Sequence, residues 1–216
     1  MAGKIFTVAQ QKGGAGKTTL AAHLAVAWTQ AGYSVATLDI DPQGSLSGWH
    51  AERTRVMGGK PDIAHVQITG WRTQKEVERL VREYQVVVID SPPHAETEAR
   101  IAVRAARLVI TPIQPSPMDL WATRPTLELA KQEKVPVMLV LNRVPPRAKV
   151  ADLLAAKIAE MGTPPAVNLA QTRIGNRIAY AGALLEGRAV TETEVGERAG
   201  EEMAALAAEI MKLASS

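Results

Sequence analysis

An α/β fold, with a mostly parallel, twisted sheet and helices on both faces, is the architecture this sequence predicts. Three observations predict it. Apolar, β-branched runs alternate with helix-length segments along the chain. The first run, Ile5 to Ala9, passes into a glycine-rich loop and then a helix. Two later runs end in carboxylates: Tyr33 to Ile40 carries Asp39 and leads to Asp41, and Val86 to Ile89 stops at Asp90. Strands that are apolar throughout are buried on both sides, as parallel strands are. The 216 residues are 46% hydrophobic, enough for a large core. Without an internal repeat, linker or low-complexity segment, residues 1–216 read as one domain.

The glycine-rich loop carries the chemistry. Residues 8 to 19 read Val-Ala-Gln-Gln-Lys-Gly-Gly-Ala-Gly-Lys-Thr-Thr. Gly16-Lys17-Thr18 closes the phosphate-loop pattern G-x-x-x-x-G-K-[ST], but position 11, where that pattern begins with glycine, is Gln11. The loop is a variant P-loop, and the fold class narrows to a P-loop NTPase. Glycines allow the sharp turn that points successive N–H groups inward, and a helix N-terminus completes the anion nest. Gly13, Gly14, Ala15, Gly16, Lys17, Thr18 and Thr19 are the expected nucleotide contacts. Lys17 would reach the β- and γ-phosphates, and the Thr18 hydroxyl would ligate Mg²⁺. Lys12 is an extra cation that would crowd Lys17 unless a triphosphate sat between them. Reaching a nucleotide held by a neighbouring chain, it would act as an arginine finger does; a solvated loop lysine is the plainer alternative.

The remaining elements follow in order. The first helix continues to Gln30, with Leu20, Leu24 and Trp28 four apart, and stops at Gly32. After the second strand, Asp39 and Asp41 sit where a parallel strand points into a ligand crevice. Asp41 is the better candidate to orient or activate the attacking water; an Asx turn is the competing role for the pair. A short helix over 45–54, a loop, and a weak edge strand from Ile63 to Ile68 come next. Thr73 to Glu83 is an amphipathic helix with a mixed-charge, solvated outer face. Val86 to Asp90 has the form of a Walker B strand, in which Asp90 would hold Mg²⁺ through water beside Thr18. His94 falls in the loop that would sense the γ-phosphate. A helix over 96–106, a strand over 108–113, a helix over 120–131 and a strand over 135–141 follow. Asn142, at the end of the last of these, can offer its amide edge to an adenine or simply form a turn. Helix 151–161, with Leu153, Leu154 and Ile158 apolar, a break at 162–165 and a short strand over 166–169 follow. Residues 170–185 carry no acidic side chain; Arg173 and Arg177 there, with Arg188, are the candidate DNA-phosphate contacts, against a reading as ordinary surface arginines. A closing helix over 193–213 shows one apolar stripe through Val195, Ala199, Met203, Leu206, Ile210 and Leu213.

Composition sets limits. The absence of cysteine excludes a disulfide scaffold, zinc-thiolate sites and cysteine-ligated iron–sulfur clusters. No signal-peptide pattern opens the sequence and no 18-residue apolar stretch occurs, so a cytoplasmic location is expected. A formal charge of +3 permits a nucleic-acid contact without demanding one.

Lys-Gly-Gly-Ala-Gly-Lys-Thr-Thr, Asp-Ile-Asp-Pro-Gln-Gly and Val-Val-Val-Ile-Asp together resemble the ParA/MinD family of deviant Walker ATPases, over essentially the whole chain. Residues 112–119, Pro-Ile-Gln-Pro-Ser-Pro-Met-Asp, resemble the small ParF-like ParA subgroup. The resemblance implies an ATP-sandwich homodimer in which Lys12 crosses to the partner's nucleotide and Asp41 serves hydrolysis. It also implies nucleoid association through non-specific DNA binding, and a ParB-like activator that stimulates hydrolysis. The cargo would be a plasmid, a chromosome or a protein assembly. The ending Glu-Ile-Met-Lys-Leu-Ala-Ser-Ser lacks the basic amphipathic helix of MinD relatives, so no membrane contact is expected. A P-loop synthetase acting on a small molecule and a MinD-like positioning ATPase are the alternatives.

Overall fold

The computed structural model describes residues 3–93, 96–146, 149–160 and 167–215. His94, Arg147 and the expected break at 162–165 lie outside these residues. Seven strands form one sheet: β1 (Lys4–Val8), β2 (Val35–Asp39), β3 (Ala64–Gln67), β4 (Val86–Asp90), β5 (Leu108–Ile113), β6 (Val137–Leu141) and β7 (Val167–Leu169). Their order is β3-β2-β4-β1-β5-β6-β7, with every neighbouring pair parallel. The chain leaves β1 for one side of the sheet, returns through β4, and then builds outward on the other side. Such a reversal opens a crevice outside the carboxyl ends of the strands. The register sets Asp90 level with both Val8 and Asp39, so the Walker B carboxylate and the first acidic residue of β2 end side by side below the glycine-rich loop.

Ten α-helices occur among the described residues: α1 (Lys17–Gln30), α2 (Ser45–Val56), α3 (Thr73–Glu83), α4 (Glu96–Ala105), α5 (Pro117–Ala122), α6 (Arg124–Gln132), α7 (Lys149–Glu160), α8 (Ile178–Leu185), α9 (Val190–Thr193) and α10 (Arg198–Leu213). Alternate strand residues point to opposite faces. On one face Phe6, Val8, Val86, Val88 and Ile110 meet Leu20, Leu24 and Trp28 of α1 and Met203, Leu206 and Ile210 of α10. On the other, Ile5, Val87 and Ile89 meet Val77 and Leu80 of α3, while Val109, Leu139 and Leu141 meet Ala130, Leu154 and Ile158. Helix α1 is buried on every side from Leu20 to Trp28, because α8, α9 and α10 cover the surface the sheet leaves. Its alanines permit that close approach. The indole of Trp28 stacks on Phe6 and donates to the Ala207 carbonyl at 3.1 Å.

The structure corrects two sequence expectations. The expected closing helix is broken: α9 ends at Thr193, Gly196 turns through φ 76°, and Val195 is 77% exposed instead of joining the apolar stripe. The expected helix over 120–131 is two helices that part at Thr123, whose hydroxyl donates to the Asp119 carbonyl at 2.8 Å, with Pro125 opening the second. Of the apolar residues of α7, Leu153 is 71% exposed, while Leu154 and Ile158 are buried. No helix among the described residues is long and apolar enough to cross a membrane.

Candidate nucleotide site

β1 delivers the chain into the loop through buried Ala9 and Gln10. Gly14 (φ 73°) and Gly16 (φ 93°) adopt left-handed backbone that L side chains disfavour, and α1 starts at Lys17. At Gly16 a side chain is excluded twice over, since a Cβ would lie 2.6 Å from Asn142 Nδ2. Asn142, at the end of β6, donates from Nδ2 to the Ala15 carbonyl at 2.9 Å and accepts from the Arg143 N–H at 3.0 Å. Its carboxamide therefore braces the loop from the end of β6. Gln10, which sequence reasoning passed over, ties the loop down from the other side: Nε2 donates to Thr123 Oγ1 at 3.0 Å. Only tertiary contact reveals its partner, 113 residues away.

Lys17 is buried, and among the described residues its ammonium forms no ion pair. Burial lowers its pKa, opposed by the nearby charges of Asp90 and Asp41. Thr18 Oγ1 donates to Asp90 Oδ2 at 2.6 Å. Burial foremost pushes the Asp90 carboxyl up to about 7; the Thr18 bond and Lys17 oppose this, and Asp39 and Asp41 add to it. Asp90 Oδ1 is buried with no hydrogen-bond partner. A carboxylate so short of positive charge, beside a threonine hydroxyl, has the donor chemistry of a hard-cation site.

The two acidic residues after β2 divide their labour. Asp39 is fully buried: Oδ1 accepts from the Asp41 N–H at 3.1 Å, and Oδ2 accepts from the Ser47 N–H at 2.9 Å and its hydroxyl at 2.8 Å. Asp41 is half-buried, accepts from the Gln43 N–H at 2.9 Å, and lines an open cleft of about 870 Å³ together with Gly13, Gly14, Gly16, Lys17, Thr18 and Thr19. Trp49, Glu52, Arg143, Leu184 and Leu185 form its outer walls. Lys12 sits on the rim side of the loop, with Nζ 2.7 Å from Asp119 Oδ2. Asp119 is buried and its Oδ1 has no partner. Asp119 thus holds Lys12 from within the same chain.

The three arginines expected to face DNA do not share one condition. Arg173 pairs with Asp152 at 2.7 Å. Arg177 pairs with Glu202, which also accepts from the Gly175 N–H and the Tyr180 hydroxyl. The side chain of Arg188 is exposed and forms no ion pair among the described residues, while its carbonyl accepts from Trp49 Nε1 at 3.3 Å. The acid-free stretch is acid-free in sequence only, since α7 and α10 supply the missing carboxylates.

Comparison with known proteins agrees with this geometry. Residues 6–190 match the family model of the CobQ/CobB/MinD/ParA nucleotide binding domain. The chain is 31% identical over 198 residues to the maintenance of carboxysome distribution protein A of Halothiobacillus neapolitanus, covering 87% of each. It is 30% identical over 134 residues to the chromosome-partitioning ATPase Soj of Thermus thermophilus, covering 50% of this chain and 54% of that protein. Its fold superposes on the cell division ATPase MinD of Pyrococcus furiosus with a TM-score of 0.78 at 20% identity, covering 98% of this chain and 99% of that one. An ATP complex of Cyanothece McdA gives 0.77 at 17% identity, covering 98% and 97%. A glycine loop, a buried lysine and a Walker B carboxylate on this sheet, with a family match over most of its length, place the chain in the ParA/MinD family of P-loop ATPases.

Proposed function

We propose that this protein is a positioning ATPase: it binds MgATP, dimerises around the nucleotide, holds non-specific DNA in that state, and releases it on hydrolysis. One observation carries the reading above the others. A buried lysine that forms no ion pair among the described residues opens onto a cleft that also presents Thr18 and Asp41, with Asp90 buried behind the Thr18 hydroxyl. Such a cation awaits an anion, and a phosphate chain on the loop supplies one. Thr18 and Asp90 are the residues that would hold Mg²⁺, whose bound charge would offset the γ-phosphate oxygens. Asp41 orients the attacking water. Lys12 exchanges Asp119 for the triphosphate of a second copy and neutralises charge there.

The relatives named for carboxysome distribution and chromosome partitioning support a cargo-positioning output, with a ParB-like partner as activator. The relatives named for carboxysome distribution favour a protein assembly among the possible cargoes. Light scattering with a non-hydrolysable ATP analogue tests the dimer. The wild type shifts to twice its monomer mass, and Lys12→Ala remains a monomer. A variant that dimerises undiminished removes Lys12 from the interface. Turnover raised by DNA plus a partner protein supports the positioning reading; turnover raised by a small metabolite instead would make this chain a synthetase.

A further inference from the structure

The backbone N–H of Asp41 is held by a chain of partly buried hydrogen bonds that ends at the edge of the sheet. Asp39 fixes both ends of the loop that carries Asp41, taking the Asp41 N–H on one oxygen and the Ser47 N–H and hydroxyl on the other. The Ser47 hydroxyl gives its hydrogen to Asp39, so it can only accept from His65, whose Nε2 lies 2.9 Å away. His65 must then carry its proton on Nε2, which leaves Nδ1 to accept from Thr37 Oγ1 at 2.9 Å. The strand register explains that last contact: β3 places His65 opposite Thr37. His65 also stacks on His50, ring centroids 4.6 Å apart, and His50 Nε2 donates to the Ile63 carbonyl at 2.8 Å. Gln67 of the same strand lies against Gly44, where a Cβ would fall 2.7 Å from its Nε2. The edge strand therefore braces the loop at Ser47.

We propose that Ser47 and His65 are positioning residues for ATP hydrolysis, acting through Asp39 to set the place of Asp41. The inference rests on the assignment of water orientation to Asp41. Neither side chain reaches the phosphate loop, so nucleotide affinity does not depend on them. Hydrolysis does, because a displacement of about 1 Å in an orienting group costs up to ~100-fold in rate. Between Asp39 and His65 the array is one-directional, while the Thr37 hydroxyl at its far end also reaches the Ala64 carbonyl at 3.2 Å. Replacing the Ser47 side chain therefore leaves Asp39 Oδ2 with the backbone N–H at position 47 alone and takes from His65 Nε2 its acceptor.

Single-turnover hydrolysis at saturating MgATP, nucleotide affinity and thermal midpoint are measured on the full chain. Ser47→Ala slows hydrolysis roughly 10-fold or more, and His65→Phe roughly 3- to 10-fold, with MgATP affinity within about 2-fold of wild type. Ser47→Thr and His65→Gln, which restore the hydroxyl and the Nε2 donor, recover the rate to within about 3-fold. Wild-type rates in Ser47→Ala and His65→Phe overturn the proposal. So does a loss in which rate, affinity and thermal midpoint fall together and neither conservative variant recovers. Asp41→Ala separates the two levels. If it is inactive while Ser47→Ala is normal, only the positioning role falls. If it turns over at the wild-type rate, the Asp41 assignment falls and takes this inference with it.

Discussion

The turn from β1 into α1 and the loop between β7 and α8 both carry positive charge, yet they treat it in opposite ways. Lys17 is buried and forms no ion pair among the described residues, so its desolvation is offset only by more distant carboxylates. Arg173 and Arg177 are more accessible and each is bonded to a carboxylate from another helix. A cation left unpaired inside a cleft is a site waiting for an anion. A cation already neutralised at the surface serves first as a tie between elements, and must break that tie before it can hold DNA. Arg53 extends the second case to the interior: its guanidinium is bonded to Asp62, to Glu192 and to the Gly187 carbonyl, and so clamps α2 to the chain before β3 and to the start of α9.

Arg53→Met gives the largest effect that sharpens this contrast. It strands two carboxylates beside a buried site, and denaturant unfolding should show a loss of roughly 3–5 kcal/mol. The phosphate loop keeps its geometry, so nucleotide affinity of the folded fraction stays near wild type.

His23 shows what happens to a basic group that the fold keeps uncharged. The Val190 N–H donates to Nδ1, so Nε2 carries the proton toward the Tyr180 carbonyl, and burial lowers the pKa to about 4. Between pH 6.5 and 4 the unfolded chain binds a proton that the folded chain refuses. Stability is therefore intact above pH 6.5 and falls as pH drops toward 4, by roughly 3 kcal/mol for this one group. Equilibrium unfolding at several pH values would show a shallower slope in His23→Gln; an unchanged slope would remove His23 from the account.

Lys17→Ala removes the unpaired cation. Calorimetry with ATP should show affinity lowered about 100-fold, near 2.7 kcal/mol, without loss of fold. Affinity near wild type would mean that the backbone nest alone holds the phosphates. The arginines give the smallest effects. Arg188→Ala should weaken non-specific DNA binding by the ATP-bound protein several-fold and lower its salt slope by about one. Arg173→Ala and Arg177→Ala should do less than Arg188→Ala, since their charges are already matched. Equal losses at all three in titrations with DNA would erase the distinction drawn here.

Local order was enough for a large part of this molecule. Five apolar runs mark strands at or within two residues of their ends at β1, β2, β4, β5 and β6, because a strand covered on both faces needs continuous hydrophobicity, which is a contiguous property. The phosphate loop is legible for the same reason: its function lies in backbone turns and a helix start made by neighbouring residues. Thr18 and Asp90 were legible as a pair because the β1–β4 register follows from the fold class. The broken end of the last helix was not, since Val195 fits the apolar spacing and only the turn at Gly196 carries it outward.

Residue type and spacing alone named the phosphate loop, the Walker B acid and the parallel sheet. Three-dimensional packing assigned partners: Asp119 to Lys12, Glu202 to Arg177, Ala15 to Asn142, and His65 through Ser47 to Asp39. The reason is physical. A backbone nest is built from consecutive residues, whereas the state of a side-chain charge or amide depends on whichever atoms the fold brings within about 3 Å of it, and those come from far along the chain.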